Sequence, residues 1–131
     1  MTGAEEVLRT ARLRKSFESE GAPVRALRGI DLDIERGEFV AVMDPSGCGK
    51  STLLNLFAGL DTPSDGEITL AGIALVGKDE NDLARIRRAD IGIVFQFFNL
   101  LEGMSALENV TLPTVIAGAR RRQAETRARG L

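Results

Sequence analysis

The sequence predicts an α/β fold with an antiparallel β layer ahead of its core, and three features carry that expectation. Two short apolar runs, residues 39–43 (Phe-Val-Ala-Val-Met) and 91–95 (Ile-Gly-Ile-Val-Phe), are continuous rather than alternating, as strands buried on both faces of a parallel sheet are. Between them, residues 50–60 place Leu53, Leu56, Phe57 and Leu60 at helical spacing, with Gly59 weakening the end, so a helix should pack on that sheet. Ahead of the first run, residues 24–27 and 30–34 read as a half-exposed antiparallel layer, with Ile30, Leu32 and Ile34 alternating with Asp31 and Asp33.

The other elements follow in order. Residues 7–13 are a further strand candidate, and residues 35–38 (Glu-Arg-Gly-Glu) form a turn. Residues 61–66 (Asp-Thr-Pro-Ser-Asp-Gly) are dense in turn formers, and a strand resumes over 67–70. Residues 81–88 read as a short helix with Asp79, Glu80 and Asp82 at its start and Arg85, Arg87 and Arg88 at its end, charges that oppose the macrodipole favourably. Ser105-Ala106-Leu107-Glu108 matches a capping box and opens another helix, expected to stop near Pro113. Residues 120–129 hold five arginines and one acid and read as a solvated helix face.

Composition narrows the function. In 131 residues, 44% hydrophobic and 27% charged, there is enough apolar material for a core, in one domain or a piece of a larger one. A net charge of −2 provides no global basic field, so no nucleic-acid partner is expected. Cys48 is the sole cysteine and there is no histidine, which excludes an internal disulfide, a Cys-rich zinc site and histidine chemistry within this chain. No apolar run approaches the roughly 18 to 20 residues of a membrane span, and Glu5 and Glu6 stand where a signal peptide carries positive charge, so a cytoplasmic location is expected.

One segment carries chemistry. Asp44-Pro45-Ser46-Gly47-Cys48-Gly49-Lys50-Ser51-Thr52 lies between a strand candidate and a helix candidate, the setting a phosphate-binding loop requires. Gly47 and Gly49 let backbone N–H groups converge on an anion with no Cβ in the way, and the helix N-terminus adds positive partial charge. Lys50 is placed to reach the β- and γ-phosphates of a nucleotide, Ser51 to ligate Mg²⁺, and Thr52 to lie on the α-phosphate side. The pattern departs from its usual form at Asp44, which stands where a glycine opens the loop. A carboxylate there opposes a triphosphate: like charges about 4 Å apart repel by up to ~4 kcal/mol at an effective dielectric of about 20. If the position also needs positive φ, a further penalty of about 1 kcal/mol is added. Should Asp44 point to solvent, only a few tenths remain.

In these residues the chain resembles the ATP-binding subunits of ABC transporters, in the branch serving lipoprotein-releasing, macrolide-export and other FtsX-like permeases. Four stretches carry the resemblance: Lys15-Ser16-Phe17 with Val24-Arg25-Ala26-Leu27-Arg28-Gly29; residues 45–60; residues 60–68; and residues 94–101 (Val-Phe-Gln-Phe-Phe-Asn-Leu-Leu) with residues 106–113 (Ala-Leu-Glu-Asn-Val-Thr-Leu-Pro). It implies a P-loop NTPase (RecA-like) core that binds Mg-ATP, contacted by Phe17, Ser46, Gly47, Cys48, Gly49, Lys50, Ser51, Thr52 and Gln96. By the same resemblance Phe17 stacks on adenine, Ser51 and Gln96 face Mg²⁺, and Phe97, Phe98, Leu100, Leu101 and Met104 lie near a coupling surface. The implied partners are a membrane permease subunit and a second ATP-binding subunit as a homodimer, with the protein peripheral at the inner face of the cell membrane.

The sequence contains no Leu-Ser-Gly-Gly-Gln signature, no four apolar residues ending in Asp-Glu and no switch histidine. Residues 1–131 therefore read as a partial nucleotide-binding domain, truncated before the signature motif, with 119–131 as the Arg-rich start of its helical subdomain. Such a chain is expected to bind nucleotide and not to hydrolyse it alone. The alternative is a nonhydrolytic permease-docking or regulatory module. In that family the strands bearing the missing elements lie between the two apolar runs, so their loss should expose residues 39–43 and 91–95 and favour aggregation.

Overall fold

The computed structural model describes residues 5–45, 47 and 49–131, and the chain divides into two compact units that meet in sequence at Ala84 and Arg85. In the first, four strands form an antiparallel sheet in the order β2-β1-β3-β4: β1 Glu6–Phe17, β2 Val24–Glu35, β3 Asp65–Leu70 and β4 Ile73–Ala74. Residues 24–34, which the pattern divides in two, make one continuous strand, and the alternation of Ile30, Leu32 and Ile34 with Asp31 and Asp33 becomes an alternation of half-buried and exposed side chains. Leu8, Leu13, Leu27, Ile68 and Leu70 fill the buried face of the sheet.

The central strand β1 is bulged. Arg12 adopts a positive φ of 48°, and register shifts interrupt both of its ladders around that point. The side chain of Asp31 takes over as acceptor for the Arg12 N–H, at 2.7 Å. Across the other ladder, Gly66 sits at φ +90°, and a Cβ there would lie 2.4 Å from the Arg12 carbonyl oxygen. The bulge therefore requires glycine opposite it.

The helix α1, Lys50–Phe57, buries Leu53 and Leu56 and contacts β2. It stops three residues before the expected end because Gly59, at φ 62°, closes a Schellman motif: Gly59 N–H bonds the Leu56 carbonyl and Leu60 N–H the Asn55 carbonyl, at 3.1 and 2.9 Å. Leu60 consequently stays exposed.

The helix α2, Glu80–Asp90, crosses the boundary between the units, and the Asp79 carboxylate caps it by accepting from the Asp82 N–H at 2.8 Å. In the second unit, α3 spans Ala106–Ile116 and α4 spans Arg121–Ala128, and the two helices touch. The capping box at Ser105 and Glu108 forms as expected. The helix does not stop at Pro113; it continues to Ile116, and the Pro113 carbonyl accepts from Ala117. Proline removes its own N–H bond and crowds the carbonyl one turn back, but the residues after it keep their own N–H donors, and one further turn forms. On α4, Arg121 pairs with Glu125 and Glu108, and most of the helix is exposed.

The largest departure from expectation concerns the two apolar runs. Residues 39–43 and 91–95 are in no strand, and Phe39 is 93% and Val94 100% exposed. A doubly buried strand requires a ladder partner on each side, and the sheet among the described residues is complete without either run. The exposure itself is what the sequence led us to expect.

Candidate functional site: the phosphate loop and its flank

The loop before α1 begins at Asp44 and Pro45 and ends at Gly49, the N-cap of the helix. Gly47 and Gly49 both lie in the left-handed region, at φ 87° and 90°. For Gly49 the demand is twofold: besides the φ, a Cβ would lie 2.7 Å from the Ala26 carbonyl oxygen and 3.2 Å from Leu27 Cδ2, so the loop is seated directly on β2. The N-cap Gly49 offers no side-chain cap and the first turn contains no acid, so among the described residues the helix N-terminus faces the loop without a capping side chain of its own.

Lys50 is the first helical residue, and its ammonium donates to the carbonyl oxygens of Asp44 at 2.5 Å and Pro45 at 2.9 Å. A lysine has three N–H donors, so one remains for an anion. Asp44, Gly47, Gly49, Lys50, Ser51 and Thr52 line a single open cavity of about 520 Å³. Ser46 and Cys48 lie outside the described residues. Asp44 has an exposed side chain and a φ outside the left-handed region, so the backbone penalty considered for it does not arise, while its charge remains at the cavity.

Beside this cavity a second, of about 650 Å³, is shared by Phe17, Gly47, Gly49 and Thr52. The structure thus brings Phe17 to the flank of the phosphate loop, although the two are about thirty residues apart in sequence. Phe17 ends β1 and is 42% exposed, which separates it from the core residues around it. The Lys15 ammonium lies over its ring, 5.1 Å from the centroid. Lys15 is itself fixed by Asp61, at 2.6 Å, and by the Thr62 carbonyl, at 2.7 Å, and its side chain is only 13% exposed. Burial pushes the Asp61 carboxyl up, but the Lys15 hydrogen bond, the Thr62 amide and the Lys15 charge together hold it below the ordinary aspartate range.

Gln96 belongs to the second unit, in a turn with an exposed side chain rather than at the end of a buried strand. Phe97, Phe98, Leu100 and Leu101 after it are well exposed, and Met104 is partly so. Sequence reasoning missed the residue that organises this stretch. The Asn109 side chain accepts from the Leu101 N–H at 2.8 Å and donates to the carbonyls of Met104 at 3.2 Å and Ser105 at 3.1 Å, clamping the approach to α3. It also missed the Lys15 and Asp61 pair. Neither has a local signature, although the polar Asn109 inside an apolar helix start was a visible oddity.

Comparison with known proteins identifies the family. The model of the ABC transporter family matches residues 27–131. An uncharacterized ABC transporter ATP-binding protein of Mycobacterium tuberculosis is 43% identical over 97% of this chain and 51% of its own length. The macrolide export ATP-binding/permease protein MacB of Rhodopseudomonas palustris is 47% identical over 91% of this chain and 18% of its own length. The lipoprotein-releasing system ATP-binding protein LolD of Chromohalobacter salexigens is 44% identical over 95% of this chain and 53% of its own length. Among solved structures, the dimeric post-hydrolysis form of the ATP-binding cassette MJ0796, bound to ADP and Pi, superposes with a TM-score of 0.88 at 38% identity, covering 92% of this chain and 53% of that one. The chain spans about half the length of the Mycobacterium tuberculosis protein, of LolD and of MJ0796, and less than a fifth of MacB. With the family model, the relatives and the fold in agreement, the chain belongs to the ABC transporter family, in its P-loop ATPase cassette.

Proposed function

We propose that this chain is the nucleotide-holding part of an ABC transporter ATP-binding subunit, one that binds Mg-ATP to power export through a partner permease. The observation that supports it best is the cavity lined by Gly47, Gly49, Lys50, Ser51 and Thr52 at an uncapped helix N-terminus. The residues fit the group: two glycines without Cβ at the loop, a lysine with one donor to spare, and hydroxyls at the first turn. Gly47 and Gly49 would leave the backbone open to the β-phosphate, Lys50 would bind the β- and γ-phosphates, and Ser51 would hold Mg²⁺; the role of Gln96 toward the same ion rests on the family resemblance alone. Ser46 and Cys48 would contribute further contacts of the loop, Thr52 would lie by the α-phosphate, and Phe17 would stack on adenine. Mg²⁺ when bound neutralises charge between the phosphates. Asp44 works against this, since its carboxylate lines the same cavity and opposes a polyphosphate.

On this reading the whole chain is part of one nucleotide-binding domain, and residues 119–131 open its helical subdomain. Turnover requires a base for the attacking water and a partner's signature loop, which these residues do not supply. The partners are a membrane permease and a second ATP-binding subunit, and the protein is held peripherally at the cytoplasmic face through the permease. Among the described residues no helix is long and apolar enough to cross a membrane. A second reading, a permease-docking module without hydrolysis, is favoured by the exposure of Phe97, Phe98, Leu100 and Leu101.

Calorimetry of Mg-ATP with the wild-type chain, Asp44→Gly and Lys50→Ala tests the assignment, with circular dichroism to verify folding. Asp44→Gly should bind at least about tenfold more tightly, corresponding to part of the like-charge repulsion. Lys50→Ala should abolish binding. Unchanged binding by Lys50→Ala would show that the nucleotide site lies elsewhere.

A further inference from the structure

Lys15 and Asp61 lie outside the phosphate loop, yet they are among the most firmly held charges of the first unit. Their 2.6 Å contact joins β1 to the turn that follows α1, and the Thr62 carbonyl takes a second proton of the same ammonium. An ammonium satisfied in this way has little rotamer freedom, and it is parked over one face of the Phe17 ring. The ring nevertheless stays 42% exposed and borders the cavity that also contains Gly47, Gly49 and Thr52. A phenylalanine at a strand end, with only Val24 opposite it in the ladder, would otherwise be free to choose among rotamers. Here a cation fixed at both ends selects one, and it does so without filling the cavity side.

We propose that Lys15, anchored by Asp61, is a positioning residue for purine binding: it holds the Phe17 ring by a cation–π contact so that its opposite face is presented to the base of a nucleotide seated on the phosphate loop. The inference rests on the nucleotide reading above and adds to it a source of base affinity separate from phosphate affinity. The cation on one face also draws electron density from the ring, which favours an electron-rich purine on the other. Lys15 itself touches no part of the ligand and acts through Phe17.

The separation of the two affinities makes the test specific. Binding of Mg-ATP and of Mg-tripolyphosphate, which has the phosphates but no base, is measured by calorimetry for the wild-type chain, Lys15→Met, Lys15→Arg, Asp61→Asn and Phe17→Ala. Lys15→Met and Asp61→Asn should weaken ATP about threefold and leave tripolyphosphate unchanged, while Lys15→Arg retains most of the preference for ATP. Phe17→Ala should weaken ATP about tenfold, and adding Lys15→Met to it should do nothing more. A purely structural role would lower both ligands together in Lys15→Met, or would persist in the Phe17→Ala background, and either result overturns the proposal. If Lys15→Met does not fold, Asp61→Asn decides alone by the same ratio. Wild-type chain that binds neither ligand refutes the nucleotide reading; wild-type chain that binds both equally refutes only the role of Phe17 and Lys15.

Discussion

Leu13 and Val94 are both aliphatic residues in segments that the sequence marks as strands, and they end in opposite surroundings: Leu13 is fully buried, Val94 fully exposed. The difference lies in the neighbours. Leu13 belongs to β1, which has β2 on one side, reached by a short connection, and β3 on the other, reached only after β2 and α1, and both are antiparallel to it. Residues 91–95 have no ladder partner among the described residues. Apolar content marks a segment as needing burial, but hydrogen-bonded neighbours decide whether it becomes a strand, because an unpaired backbone stays with water. Nearness in sequence does not decide the matter, since Arg14 of β1 pairs with Asp65 of β3 beyond β2 and α1; the presence of a ladder partner does.

Leu13→Ala should break the paired region hardest, lowering the unfolding free energy by about 2 to 5 kcal/mol in urea titrations, whereas Val94→Ala should move it by less than about 0.5 kcal/mol. Comparable losses from both would mean that residues 91–95 are covered in solution. Next in size is Gly66→Ala. Its Cβ would meet the Arg12 carbonyl, so a loss of about 3 kcal/mol is expected, while Gly77→Ala, also at positive φ but with open space around it, should cost about 1 kcal/mol. Equal effects of the two would show that the backbone angle, and not the bulge opposite Gly66, sets the requirement.

The Lys15 and Asp61 pair gives a smaller, pH-dependent effect. Because the folded carboxyl is held below its ordinary value near 3.8, the pair's contribution is fully present above that pH and is lost as pH falls through the lowered value. Urea midpoints measured from pH 6 to pH 2 should therefore fall less steeply for Asp61→Asn than for the wild-type chain, and an identical slope would show that the pair adds nothing. Smallest in stability but plain in behaviour is Val94→Lys. It should leave the urea midpoint unchanged and raise several-fold the concentration at which light scattering begins, since it places a charge on an exposed apolar segment.

Much of this was legible in the residues. The glycines, Lys50 and the helix from 50 announce the phosphate loop, because each acts locally on backbone conformation or on an adjacent helix end. The Ser105 and Glu108 cap was legible for the same reason. What sequence could not reveal depends on distant partners: the 46-residue span that joins Lys15 to Asp61, the Asn109 clamp, and the bulge at Arg12 with its matching Gly66. The apolar runs were legible as hydrophobic from their composition, and their exposure was legible only from the family resemblance, since an apolar run records which side chains avoid water and is silent on ladder neighbours.

Lys50 bears on how a phosphate would arrive. Its ammonium bridges the carbonyls of Asp44 and Pro45, so the start of the loop is drawn together by a residue of the helix that follows. Part of the conformational entropy that ligand binding would otherwise remove has therefore already been given up in folding. An incoming anion would take the third N–H of a cation that is already in position, with little reordering, so selectivity should reside in how slowly the ligand leaves.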